Sequence, residues 1–295
     1  MQGGIKLKKS VKDNIIIYFM SFIFIIITGC SSLKKEAKPI QGIPEKKQIT
    51  LPGNEKDLVN AGLIKMKKAY PDFIESIGDN YLIWKDGTKM IYDDKKPHDH
   101  YEELLNDADL EDQMSMDYPK GRNCKIPDIN FDPGRVRNEK IFMKMYGSNE
   151  EEVRKNLVEV KWLPNTANKT LLITSVNGVD KKIAAISDEL EKFPELLKYI
   201  DNPAGSYRVQ VVNNSNRLSM HSFGIVIDIN NNYSDFWIWE SPYGNHGAGR
   251  KKIHYLNHIP LEIVEIFEKY GFIWGGKWYH FETIHFEYRP ELLID

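Results

Sequence analysis

Cysteine is nearly missing from this chain of 295 residues: Cys30 and Cys124 are the only two. An excess of charge of one sign is missing too, with 40 Lys and Arg against 42 Asp and Glu and a formal net charge of −2. No basic stripe interleaved with aromatics appears, so nothing points to a nucleic-acid-binding surface. No internal repeat at solenoid or propeller periods is present. The apolar run near the N-terminus, Ile15 to Ile27, is too short for a comfortable membrane span. What remains is ordinary globular material, 41% hydrophobic and 28% charged. At this length it can bury a real core in one or two domains.

The first thirty residues read as a targeting segment. Lys6, Lys8, Lys9 and Lys12 precede the apolar run, and Thr28-Gly29-Cys30 closes it. Ile27-Thr28-Gly29-Cys30 resembles a bacterial lipobox. The resemblance implies a signal peptide over residues 1–29, cleavage before Cys30, lipid on its thiol and acylation of the new amine. The competing reading is an uncleaved signal anchor. Several acyl chains anchor a protein stably, since each buried methylene contributes about 0.8 kcal/mol. Loss of those four lysines and Asp13 moves the formal charge from −2 to −5. With Cys30 lipidated, Cys124 has no partner, no internal disulfide forms, and the fold must rest on its core. Ser31 after Cys30, rather than Asp, favours outer-membrane sorting in an organism that has such a membrane. The expected location is the cell envelope, facing the periplasm or the cell surface. Residues 30–54, rich in Lys and Glu with Pro39, Gly42 and Pro44, read as a flexible tether.

Residues 55–200 read as a helical and hairpin region. Leu58, Ala61, Leu63, Ile64 and Met66 form an approximate helical stripe. Tyr81 to Trp84 and Lys89 to Tyr92 flank an Asp86-Gly87 turn, a hairpin pattern. His98 and His100 sit in a polar run and read as a surface loop. Residues 138–160 look helical, with Val153, Leu157 and Val160 on one face. Leu171 to Val176 reads as a strand ended by Asn177-Gly178, and Ile183 to Ile200 as a helix with Ile186, Leu190, Phe193 and Leu197 at helical spacing. Leu261 to Tyr270 is a further helix between Pro260 and Gly271. Trp237 and Trp239 share a strand face and are expected in the core. Strands and helices alternate without regular βαβ spacing, which makes the fold class α+β.

Two distant stretches carry the chemistry. The first is Ser219-Met-His221-Ser-Phe-Gly224-Ile-Val-Ile-Asp228. Its β-branched run predicts a buried strand, where an unpaired Asp228 is expensive unless it meets a cation. Gly224 can break that strand, so that His221 converges on Asp228 from a loop. The second is Glu282-Thr-Ile-His285-Phe-Glu287. Alternation from Thr283 to Arg289 predicts a half-buried strand with Thr283, His285, Glu287 and Arg289 on its polar face. Two imidazoles and a carboxylate are a donor set for catalytic zinc, which also needs an open position and a nearby base. Periodicity favours Glu287 for the base, since Glu282 needs a bend to reach the metal.

Ser219-x-His221-x-x-Gly224-x-x-x-Asp228 with Glu282-x-x-His285-Phe-Glu287 resembles the zinc D-Ala-D-Ala carboxypeptidase family, peptidase family M15, over roughly residues 205–292. That family includes vancomycin-resistance dipeptidases and carboxypeptidases and phage L-alanyl-D-glutamate endolysins. The resemblance implies a zinc peptidase core over residues 201–295 with a Hedgehog-like or DD-peptidase-like sheet, and an amino-terminal part packed on it. It implies Zn2+ on His221, Asp228 and His285, Glu282 as general base, and Glu287 orienting a ligand or a strand partner. It implies peptidoglycan stem peptides as substrate, cut as a D-Ala-D-Ala carboxypeptidase or an L-Ala-D-Glu endopeptidase would cut them. A monomer without nucleic-acid partners, tied to the membrane through Cys30, completes the expectation. Members with a long insert carry a substrate-binding arginine thirty or more residues before the first histidine. Here Arg208 lies only thirteen before it, with Arg217 as its rival and a structural ion pair as the alternative. Ser219 either bonds near the site or caps its turn. Trp278, with Trp274 across Gly275-Gly276, either walls the substrate cleft or belongs to the core. His254, His258 and His280 read as surface or structural. A non-catalytic wall-binding lipoprotein on a peptidase scaffold is the competing function, and an intact base argues against it.

Overall fold

The stripe that includes Leu63 and Met66 forms helix α1 (Glu55–Ala69), and both side chains are fully buried. The structure, a computed structural model, describes residues 55–123, 125–212, 215–239 and 253–295. These fall within a compact unit spanning Gly42–Asp295. The expected signal peptide, the Cys30 lipid site, the tether and Cys124 lie outside the described residues. Among the described residues no helix is long and apolar enough to cross a membrane.

After α1 comes an antiparallel three-stranded meander, β1 (Ile74–Ile77), β2 (Tyr81–Trp84) and β3 (Lys89–Ile91). Asp86 ties its turn by accepting hydrogen bonds from the Thr88 amide and hydroxyl. The sequence reading contained the β2–β3 hairpin but not β1. Two short helices follow, α2 (Tyr101–Asp107) and α3 (Leu110–Met114); Asp109 and Asp112 form a capping box on α3.

The helix expected over residues 138–160 is three elements. Helix α4 (Glu139–Tyr146) stops at Gly147, α5 (Glu150–Arg154) is a single short turn of helix, and residues from Leu157 onward are strand. That strand, β4 (Leu157–Trp162), pairs with β5 (Lys169–Thr174), with Val160 opposite Leu171. Its Val and Trp side chains suit a paired strand better than a helix, and a neighbouring strand is available. Helix α6 (Val179–Leu190) ends ten residues before the expected Ile200. Pro194 lacks an amide donor and restricts the residue before it, so residues 194–199 become a 3₁₀ turn and Phe193 is exposed.

The second half builds a four-stranded antiparallel sheet in the order β6 (Pro203–Gly205), β7 (Val226–Asn230), β9 (His285–Tyr288), β8 (Phe272–Trp274). Helix α7 (Leu261–Lys269), ended by Gly271, packs on β8 and α6. Phe267 of α7 stacks on Phe286 of β9 with ring centroids 4.0 Å apart. Helices beside small antiparallel sheets make this an α+β protein. Two expectations fail here. Residues 237–239 form a turn rather than a strand, which leaves Trp239 exposed. The 285–288 strand is buried on both faces, because the segment around Gly134 covers its polar side.

Candidate metal centre

Strands β7 and β9 are the two inner strands of that sheet, and their register sets Asp228 directly opposite His285. Directly opposed residues of an antiparallel pair project on the same face, within reach of each other. His221 arrives from a 3₁₀ turn (Met220–Phe223) closed by Gly224 in the left-handed region. A Cβ on Gly224 would also lie 2.6 Å from Leu157 Cδ2, so glycine satisfies both backbone and packing. Ser219 caps the turn, its hydroxyl accepting from the His221 amide at 3.4 Å.

One donor atom from each of His221, Asp228 and His285 lies within 4.8 Å of the others, and all three residues are buried. The two rings are 5.3 Å apart. The outer nitrogen of each ring is engaged. His221 Nδ1–H donates to the Ser206 carbonyl at 2.5 Å, and His285 Nε2–H donates to Glu287 Oε2 at 3.1 Å. Those bonds select the tautomers that leave His221 Nε2 and His285 Nδ1 turned toward Asp228, each 3.0 Å from a carboxylate oxygen. Two imidazoles held from behind and one carboxylate are a donor set that would suit a divalent ion. Zinc accepts that mixed set readily. Burial alone would raise the Asp228 pKa, yet hydrogen bonds and charge from both histidines hold it well below the usual carboxylate range.

Residues 213–288 match the family described as D-alanyl-D-alanine carboxypeptidase. This segment belongs to peptidase family M15. No curated protein and no solved structure matches the chain. The M15 segment contains all three converging residues together with Glu282, Glu287 and Trp278.

In the M15 segment Glu282 occupies a bend just before β9. It bridges to Phe236, its carbonyl accepts from the His285 amide at 3.2 Å, and β9 begins at His285 itself. Its side chain is partly exposed, outside the converging triad, and close enough for its charge to act on His285. Glu287, the base favoured by periodicity, is fully enclosed behind His285 and bonded to it. Trp278 is buried, donates its indole N–H to the Pro133 carbonyl at 2.6 Å, and lies 5.4 Å from the His285 ring. It backs the site, while Trp274 is core, its N–H bonded to the Thr283 carbonyl.

The arginines divide clearly. Arg208 Nη2 reaches His221 Nε2 at 2.9 Å and Asp228 Oδ2 at 3.0 Å, the same atoms that converge at the centre. Its side chain is 42% exposed. Arg217 is buried and donates to the Arg135 carbonyl, and desolvation lowers its pKa to about 10. It is a structural residue. Sequence reasoning missed Arg135, which precedes the M15 segment. Its guanidinium lies 4.6 Å over the Trp278 ring and 3.8 Å from Glu282 Oε2. No motif surrounds it; only the folded arrangement brings it to Glu282. His280 and His258 are oriented through Nδ1 by Asp132 and Asp235 respectively. Tyr101 adds its hydroxyl to Asp132.

Proposed function

We propose that this chain is a zinc-dependent peptidoglycan peptidase that hydrolyses a peptide bond in stem peptides. The single observation that carries the reading is the convergence of His221, Asp228 and His285 on one point, with the partly exposed Glu282 near enough for its charge to act on His285. His221, Asp228 and His285 would hold the zinc, which when bound would supply Lewis acidity toward the scissile carbonyl and lower the pKa of water toward neutrality. Glu282 takes the proton from the attacking water and returns it to the leaving amine. Its partly exposed position suits a group that must meet both water and substrate. His221 and His285 stay aimed because Ser206 and Glu287 hold their outer nitrogens.

Arg135, stacked on Trp278 beside Glu282, is placed to bind a substrate carboxylate or the developing oxyanion. Arg208 is the second candidate for that contact, and it must leave the ligand atoms to make it. Anchorage through Cys30 and a sheet of the Hedgehog or DD-peptidase type belong to the same proposal.

The test is release of D-Ala, or of new amino termini, from purified muropeptides by the purified chain with and without a chelator. Chelator-sensitive release, restored by Zn2+, supports the reading. Mass spectrometry of the products separates carboxypeptidase from endopeptidase cleavage. Equal cleavage by a metal-free preparation would refute zinc chemistry. Binding of muropeptides with no cleavage at full zinc occupancy would favour a wall-binding lipoprotein.

A further inference from the structure

The polar face of β9 continues past Glu287 into a buried chain of charges. Glu287 splits its carboxylate, one oxygen on His285 and the other accepting from Arg289 Nη1 at 2.8 Å. Arg289 Nη1 also donates to the Gly134 carbonyl at 2.8 Å, and its Nε donates to Glu291 Oε1 at 2.6 Å. Glu291 accepts in turn from the Tyr70 hydroxyl at 2.6 Å and from Gln113 Nε2 at 3.1 Å. Gln113 Oε1 then accepts from the Asn138 amide at 3.0 Å. None of the five side chains from Glu287 to Gln113 is more than 2% exposed. Tyr70 directly follows α1 and Gln113 lies on α3, so the chain runs from a metal-ligating imidazole into the amino-terminal region.

Two features set this apart from ordinary core packing. Buried ion pairs add little stability over apolar residues of the same shape, so three charges in a row need another reason to be there. The geometry also restrains Glu287 specifically. With each oxygen committed to a different partner, its carboxylate cannot rotate, and the His285 ring is held in one plane. Gly134 permits this: it sits at φ +105°, and a Cβ there would lie 2.4 Å from Ile273 Cδ1 and 3.3 Å from Glu287 Oε1. Only Glu287 and His285 of this chain fall within the matched residues 213–288.

We propose that Arg289, Glu291, Tyr70 and Gln113 are positioning residues of the metal centre, through which residues 55–114 set the aim of His285 without touching the ion. The proposal rests on the metal reading given above. It assigns a task to the amino-terminal region that no motif there announces.

The test uses the full chain with Tyr70→Phe, which removes one hydroxyl, and Glu291→Gln, which keeps shape and removes charge. Leu63→Val, buried on α1 and outside the chain of charges, is the control for lost stability. Zinc affinity is read by competition with a chromophoric chelator, beside the Tm of each chelated protein. Weakening of zinc binding by about tenfold or more in both variants, against less than twofold in the control at comparable Tm loss, supports the proposal. If Tyr70→Phe folds and holds zinc as tightly as wild type, the proposal is overturned, whatever Glu291→Gln does. A wild-type chain that binds no zinc, or a His285→Ala chain that keeps it, overturns the metal reading itself. That result is visible in the same titration before any of these variants is compared.

Discussion

Replacing Glu282 by Gln isolates proton transfer from metal binding. The change keeps side-chain volume and removes only the ability to accept a proton. Positioned general-base catalysis contributes about 10²- to 10⁴-fold, which at about 1.36 kcal/mol per decade amounts to roughly 2.7–5.4 kcal/mol of barrier. The three ligand atoms converge without Glu282, so zinc occupancy should not change. Stability should barely move either. The carboxylate is partly exposed and, among the described residues, pairs with Arg135 at 3.8 Å; such a pair contributes about 0–1 kcal/mol. For a unit of this size that is a Tm change of about 4 °C or less. The assay is initial-rate release of D-Ala or of new amino termini from muropeptides, paired with metal analysis of the same preparation. A fall in kcat with intact zinc and Tm is the expected result. Wild-type turnover in Glu282→Gln would remove this residue from the mechanism, and loss of zinc would make it a ligand instead of a base.

Other perturbations separate the remaining roles. His285→Ala should lose zinc by metal analysis, and full occupancy would refute the ligand set. Arg135→Ala should lower kcat/KM by roughly ten- to a hundredfold, the worth of a charged hydrogen bond of about 1.5–3 kcal/mol, while leaving zinc bound; if Arg208→Ala produces that loss instead, the substrate contact belongs to Arg208. Zinc binding should also depend on pH. Burial works against protonation of His285, but the hydrogen bonds its ring donates to Asp228 and Glu287 raise its pKa to about 10 in the chain without metal. A raised pKa stabilises the chelated fold fully below the unfolded value of about 6.5, and that contribution is lost as pH rises through about 10. Zinc needs the neutral ring, so binding between pH 7 and 9 should release about one proton. Calorimetry in buffers of different ionisation enthalpy measures it, and zero proton release would contradict the assignment.

The three residues proposed as ligands stand out in the sequence because each sits where its residue type is out of place. Asp228 interrupts a β-branched run, and His285 opens a strict alternation. Gly224 advertised the break that frees His221 from the strand. Their register was not legible: nothing local in either strand says that position 228 pairs with 285. Where local pattern competed with tertiary opportunity, the pattern misled. Leu157 and Val160 fit a helical face, but a partner strand at Leu171 claimed them. Phe193 and Leu197 continued the spacing of α6, but Pro194 removed the helix beneath them. The alternation at 283–289 marked a polar face without revealing that the Gly134 segment buries it. Arg135 had no pattern to carry it, since its meaning lies only in Trp278 and Glu282, far along the chain.

These failures share a cause that bears on how the site is built. The matched segment holds the proposed ligands and the proposed base, so its short-range spacings are those such chemistry would fix and can be read. Apart from Glu287, the groups that support them come from elsewhere: the Ser206 carbonyl behind His221, Gly134 behind Arg289, and Tyr70 and Gln113 behind Glu291. Most of those contacts run through backbone carbonyls or single polar atoms, which many sequences can supply. A metal centre therefore leaves its signature in the residues that touch the ion. The residues that aim them leave almost none, although a misaimed imidazole weakens metal binding much as a missing support would.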